Sequence, residues 1–200
     1  MTALLLYGIV GLEGADSETL APGTTVVAFR DLGAVTGPAH YVRETPIERD
    51  VDMHRNVVDA IFQKRAFLPA PVGIIFRNRD ALLRWLELHY VTLSDGLSFV
   101  EGRVAARVHL SPRTDTGTDT DISAAATEAF RMLRQHATAS VSLKPTNGPG
   151  SASAAFLVER DRWSVFVDTV ADQAQSQPTL KVNQTGPWPP YDFVNMQFGV

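Results

Sequence analysis

Three carboxylates, Asp115, Asp119 and Asp121, fall within seven residues and alternate with threonines and Gly117. Oxygen-rich loops of this kind can hold Ca²⁺. A calcium-binding helix–loop–helix also needs a bidentate glutamate at its twelfth position and helices on either side, and the pattern fails on both counts. The stretch reads as a solvated loop, with Asp121 as a candidate cap for the helix after it. The five histidines, His40, His54, His89, His109 and His136, are scattered and form no HExxH or HxH pair. No G-x-S-x-G elbow and no G-x-x-x-x-G-K-[ST] phosphate loop is present. Gly8, Gly11 and Gly14 follow an apolar run at a spacing of three, which is wrong for a dinucleotide fingerprint. The nearby Glu13, Asp16 and Glu18 would repel phosphate. Glu48, Asp50 and Asp52, mixed with Arg49, Arg55 and Lys64, read as a charged helix face. These residues point to no catalytic constellation, metal site or cofactor, so the expectation is a protein that is not an enzyme.

Composition narrows the class further. Of 200 residues, 44% are hydrophobic and 20% charged, a globular balance rather than a disordered one. The net charge of −4 leaves no basic excess to neutralise a phosphate backbone, which disfavours nucleic acid as a partner. Cysteine is absent, so disulfides and thiol chemistry are excluded, and a reducing cytoplasm fits. The first ten residues lack the basic segment of a signal peptide. No apolar run approaches the ~18 residues of a membrane span.

The elements that must position any site can be read from periodicity. Residues 3–10 form a continuous apolar run and predict a buried strand. Residues 24–30 are β-branched and predict a second strand, with a hairpin turn at 31–33. Thr45 and Pro46 predict a helix start. Val51, His54, Val58, Ile61, Phe62 and Arg65 share one face of that helix, which makes His54 a core histidine. Residues 67–71 are read as its end, and 72–76 as a buried strand. Asp80 is expected to cap the next helix. There Leu82, Leu86, Tyr90, Leu93 and Leu97 make a stripe that is either core or a helix-pairing seam.

The second half has a different grammar. Residues 101–110 alternate Val104, Ala106, Val108 and Leu110 with Arg103, Ala105, Arg107 and His109, as a half-buried strand does. A loop, a helix through Ala126 and Phe130, a strand at 138–144, a turn, a strand at 152–158, a helix through Phe166 and Val170, and a strand at 179–185 follow. Written out, the order is β-α-β-β-α-β, the ferredoxin-like arrangement. Its second and fourth strands lie at the sheet edges, which invite pairing with other chains.

The expected fold class is α+β. Residues 1–99 form an N-terminal domain, 100–185 a ferredoxin-like domain and 186–200 an extended tail. No flexible linker separates the two domains, so they are expected to pack together. The tail carries Pro187, Pro189 and Pro190, which stiffen it toward polyproline II, together with Trp188, Tyr191 and Phe193 and, further on, Met196 and Phe198. A stiff aromatic segment loses little entropy on docking. Trp188, Tyr191 and Phe193 therefore either clasp their own sheet or contact a partner.

The tail also resembles a known family. Gly186-Pro187-Trp188-Pro189-Pro190-Tyr191, followed by Phe193-Val194, is similar to the C-terminal signature of the gas vesicle F/L accessory proteins. Leu6-Tyr7-Gly8-Ile9-Val10 resembles that family's opening strand. Residues 67–76 resemble its central segment, with Val72 and Ile74 where phenylalanine and threonine are usual. Glu101-Gly102-Arg103-Val104 and Ala155-Phe156-Leu157-Val158 are similar to two further segments.

The resemblance implies a cytoplasmic accessory protein of gas vesicle formation, chaperone-like or a minor vesicle component. It implies two α+β domains, the second ferredoxin-like. The implied partners are the small hydrophobic shell protein and other accessory proteins, bound non-covalently. Two other readings stay open: a polar adaptor that never touches the shell subunit, and an enzyme or small-ligand binder built on a ferredoxin-like sheet.

Overall fold

The computed structural model describes residues 3–12, 20–40, 47–113, 119–145 and 150–194. By contact these fall into two compact units. One runs to Glu101 and takes in Val194; the other spans Gly102–Phe193.

In the first unit β1 (Ala3–Gly11) pairs antiparallel with β3 (Leu32–Ala39) on one side. It pairs with β4 (Phe67–Pro69) and β5 (Ile75–Phe76) on the other, and β2 (Thr25–Phe29) lies beyond β3. Phe29 pairs with Leu32, so the hairpin turn is Arg30-Asp31, earlier than expected, and Gly33 is inside the strand. Arg30 takes a positive φ of 55°, the geometry that two-residue hairpins demand. The stretch expected to end a helix, 67–71, is instead a buried strand and its exit. Phe67 and Leu68, each 1% exposed, pair with Val10 and Ile9 of β1, and Leu68 packs into the same apolar cluster as the leucines of the helix over 79–100. The chain then turns at Gly73, leaving only Ile75–Phe76 of the strand expected over 72–76.

Helix α1 (Glu48–Phe62) has Ile47 as its N-cap, with the Ile47 amide donating to the Asp50 carboxylate at 3.2 Å. The expected start at Thr45 and Pro46 lies outside the described residues. Helix α2 (Arg79–Val100) is capped by Asn78, whose side chain accepts from the Ala81 amide at 2.9 Å. Asp80 sits in the first turn and is not the cap. An Ncap side chain must reach back to the third amide of the helix, and Asn78 is the residue so placed.

Successive residues of a strand face opposite ways. Leu6 joins the apolar cluster of Leu82, Leu86, Leu93 and Leu97 from α2, while the Tyr7 ring lies 5.3 Å from that of His54 on α1. The two helices thus cover opposite faces of β1. Leu82, Leu86, Leu93 and Leu97 are core residues. Val194 packs against the same cluster.

The second unit runs β6 (Arg103–Pro112), α3 (Asp119–Arg134), β7 (Ala139–Leu143), β8 (Ala152–Glu159), α4 (Trp163–Ser176) and β9 (Leu180–Trp188). Its antiparallel sheet has the order β7-β8-β6-β9. Ala106, Val108 and Leu110 of β6 meet Phe130 of α3 and Phe166 of α4 in one core, so both helices lie on one face. Phe156 sits between them, with its ring 5.9 Å from Phe130 and 5.4 Å from Phe166. Because α3 begins at Asp119, Asp119 and Asp121 belong to its first turn; Asp115 lies outside the described residues. Asp121 is accordingly not the cap.

Candidate functional site

The last strand does not stop at Thr185. It continues through Gly186 and Pro187 to Trp188, still paired with β6. The register shifts by a bulge, Thr185 facing Arg107 and Trp188 facing Ala105. Proline fits because β9 is the edge strand and no neighbour asks for its missing N–H. Gly186 has φ of 131°, and a Cβ there would lie 2.8 Å from the Ala105 carbonyl and 2.9 Å from the Trp163 ring. Only glycine fits between β6 and α4 at this point. The stretch expected to be polyproline-like is thus half strand. A single edge strand with one proline is still an extended chain, so the sheet captured what stiffness alone would have left free.

Beyond Trp188 the chain turns. Pro189 and Pro190 are buried, and Tyr191–Phe193 form one 3₁₀ turn closed by amides of Tyr191 and Phe193 donating to the carbonyls of Pro189 and Pro190. That turn aims Asp192 at β6. Arg107 donates from Nε to one carboxylate oxygen at 2.8 Å and from Nη2 to the other at 2.9 Å. Arg107 alternates with the core residues Ala106 and Val108, so its side chain leaves the sheet on the face away from the helices. The turn therefore lies over that second face. The carboxylate hydrogen bonds hold the Arg107 pKa above its ordinary value against the opposing cost of burial.

The three tail aromatics differ in setting. Trp188 is 43% exposed, its indole N–H donating to the Thr185 hydroxyl at 3.0 Å. Tyr191 and Phe193 are half-buried. Met196 and Phe198 lie outside the described residues. Sequence reasoning singled out Trp188, Tyr191 and Phe193 and did not single out Asp192 and Arg107, which the structure pairs. The available signal was a second arginine, after Arg103, on the polar side of β6 and a lone acid among the tail aromatics.

The two sheet edges of this unit are unlike. The outer side of β9 carries Lys181, Pro187 and the bulge, all features that blunt an edge. The outer strand β7 reads Ala-Ser-Val-Ser-Leu, with Val141 39% exposed and no charge or proline within it.

Elsewhere, charged and hydroxyl groups line a cleft of about 510 Å³ in the first unit, among them Asp31, Lys64, Arg65, Ser94, Ser98 and Glu101. Asp31 there accepts from the Tyr90 hydroxyl at 2.6 Å, a bond that raises the Tyr90 pKa. His54 is 1% exposed and donates from Nε2 to the Ala70 carbonyl at 2.9 Å. Burial pushes its pKa below the usual histidine value. His109 of β6 shares a hydrogen bond of 2.5 Å with Ser153, its cross-strand partner on β8. Among the described residues no three His, Asp or Glu side chains gather as metal ligands, and no helix is long and apolar enough to cross a membrane.

Comparison with known proteins follows the same features. In solved structures the fold is similar to that of GvpF from Anabaena, with a TM-score of 0.81 over 99% of this chain and 98% of that one at 16% identity. GvpF from Microcystis aeruginosa superposes with a TM-score of 0.79 over 96% of this chain and 99% of that one at 12% identity. In sequence the chain is 27% identical to gas vesicle protein F2 of Halobacterium salinarum, covering 98% of this chain and 94% of the relative. It is 26% identical to gas vesicle protein L of a Streptomyces species, covering 96% and 88%. The family model described as gas vesicle synthesis protein GvpL/GvpF matches residues 3–119 and 105–195, and on that ground the chain belongs to the GvpL/GvpF family of gas vesicle proteins.

Proposed function

We propose that this chain is a non-catalytic accessory protein that binds the hydrophobic gas vesicle shell protein, and other accessory proteins, non-covalently during vesicle assembly. A shell subunit that will line a gas phase presents an apolar face, which aggregates unless covered. Covering it requires a surface and no chemistry. The observation that carries the reading is Trp188, a large aromatic left 43% exposed at the end of an edge strand whose following turn is tied back to the sheet through Asp192. Exposed aromatics on a rigid support are the usual anchors of protein interfaces. We further read the β7-β8-β6-β9 order with both helices on one face as a ferredoxin-like domain. The proposed place of action is the cytoplasm and the growing vesicle.

The test is binding to purified shell protein by the intact chain and by Trp188→Ala, with circular dichroism on both. An exposed ring can be removed without unfolding the sheet, so the variant is expected to stay folded and to bind at least about tenfold more weakly. Unchanged binding sinks the Trp188 contact. A chain that captures other accessory proteins under conditions where it never captures shell subunits is an adaptor instead.

A further inference from the structure

Helix α2 carries a second apolar stripe on the side away from its own core. Leu88 is 79% exposed and Val91 68%, the two most exposed large hydrophobic side chains among the described residues. Arg84, Leu88, Val91 and Asp95 follow one another at intervals of four, three and four residues, which places them along one helical seam. The buried Leu86 and Leu93 lie opposite. Among the described residues neither Arg84 nor Asp95 is engaged in an ion pair.

The stripe is complementary to itself. A positive charge stands four residues before the apolar pair and a negative charge four residues after it. We propose that two copies of the chain associate through α2, antiparallel, about a two-fold axis midway between Leu88 and Val91. In that register Leu88 meets Val91 of the second copy, and Arg84 meets Asp95 of the second copy. The symmetry repeats each contact, as an isologous interface requires. A parallel pairing would set Arg84 against Arg84 and Asp95 against Asp95, and like charges at an interface reject it. Two helices alone bury less than the roughly 800 Å² per partner of a stable dimer, so the association is weak and rises with concentration. This inference is independent of the shell-binding reading and rests on a different unit.

The experiment uses the full chain, whose lack of cysteine makes any introduced thiol the sole one. Sedimentation equilibrium is expected to show a monomer–dimer equilibrium. Arg84→Asp or Asp95→Arg alone should weaken it by about tenfold, because each places like charges across the seam twice. The double variant Arg84→Asp/Asp95→Arg should return to within about threefold of the parent, since the pair is restored in reverse. Under mild oxidation, Leu88→Cys protein mixed with Val91→Cys protein should give the mixed disulfide in preference to either self-disulfide. All four side chains face solvent, so circular dichroism should be unchanged. A chain that is monomeric at its highest soluble concentration overturns the proposal. So does a dimer indifferent to the charge reversals. A monomer that captures shell protein through Leu88 assigns the stripe to that partner and overturns self-pairing equally.

Discussion

Arg107 and Asp192 stand 85 residues apart in sequence and form a two-pronged ion pair, each carboxylate oxygen taking one guanidinium N–H at 2.8 and 2.9 Å. The pair is asymmetric in exposure: the Arg107 side chain is 51% accessible and that of Asp192 14%. It ties the turn after Trp188 to β6, the strand with which Trp188 pairs.

Removing the acid should loosen that turn without unfolding the sheet. Asp192→Asn is expected to cost about 1 kcal/mol, a modest figure because the arginine end is open to water and salt. Urea midpoints of the single variants, Arg107→Gln included, and of the double variant measure the coupling. The two single losses should not add, and high salt should shrink them. Arg107→Lys should not rescue, since a point charge cannot fork to both oxygens.

Gly186→Ala should be more damaging than its size suggests. The new Cβ would press on the Ala105 carbonyl and the Trp163 ring, at a backbone φ of 131° that side chains avoid. A loss of about 2–4 kcal/mol is expected, read as a fall in the thermal midpoint. A stability change within about 0.5 kcal/mol would show that the strand shifts freely there.

His54 should make the protein acid-sensitive near neutrality. Its folded pKa is lowered by burial, so the unfolded chain binds a proton more readily. The stabilising neutral state is fully present above the unfolded pKa of about 6.5. It is lost as pH falls from that value toward the folded one, at up to about 1.4 kcal/mol per pH unit. Comparing thermal midpoints at pH 7.5 and 5.5 for the parent and His54→Gln isolates the effect. The variant should lose this part of the slope.

The two stripes of α2 should separate cleanly. Leu86→Ala removes a side chain with no exposed surface and is expected to cost about 2–5 kcal/mol. Leu88→Ala should change monomer stability by less than about 0.5 kcal/mol, because Leu88 is already in water. Denaturant unfolding at low protein concentration reads both.

Much of this molecule is legible in local pattern. The apolar run of β1, the alternation of β6 and the leucine spacing of α2 each report one element's contact with one core. Caps and turns were less legible, since Asn78 and Asp80 both suit the start of α2 and only backbone geometry selects Asn78. Residues 67–71 look like a helix stop because of two prolines. They form a strand because Val10 and Ile9 offer unpaired neighbours, a fact stored sixty residues away.

The sequence alone determined the order of most elements, the faces they bury and the resemblance carried by the Gly-Pro-Trp-Pro-Pro-Tyr tail. Those properties depend on side-chain types at short, regular intervals. The tertiary structure decided that the tail begins as strand, that Asp192 pairs with Arg107, and that Leu88 and Val91 stay in water while their helical neighbours are buried. Each of these depends on which distant surface packs against a given face, and a periodic pattern describes a face without naming what meets it.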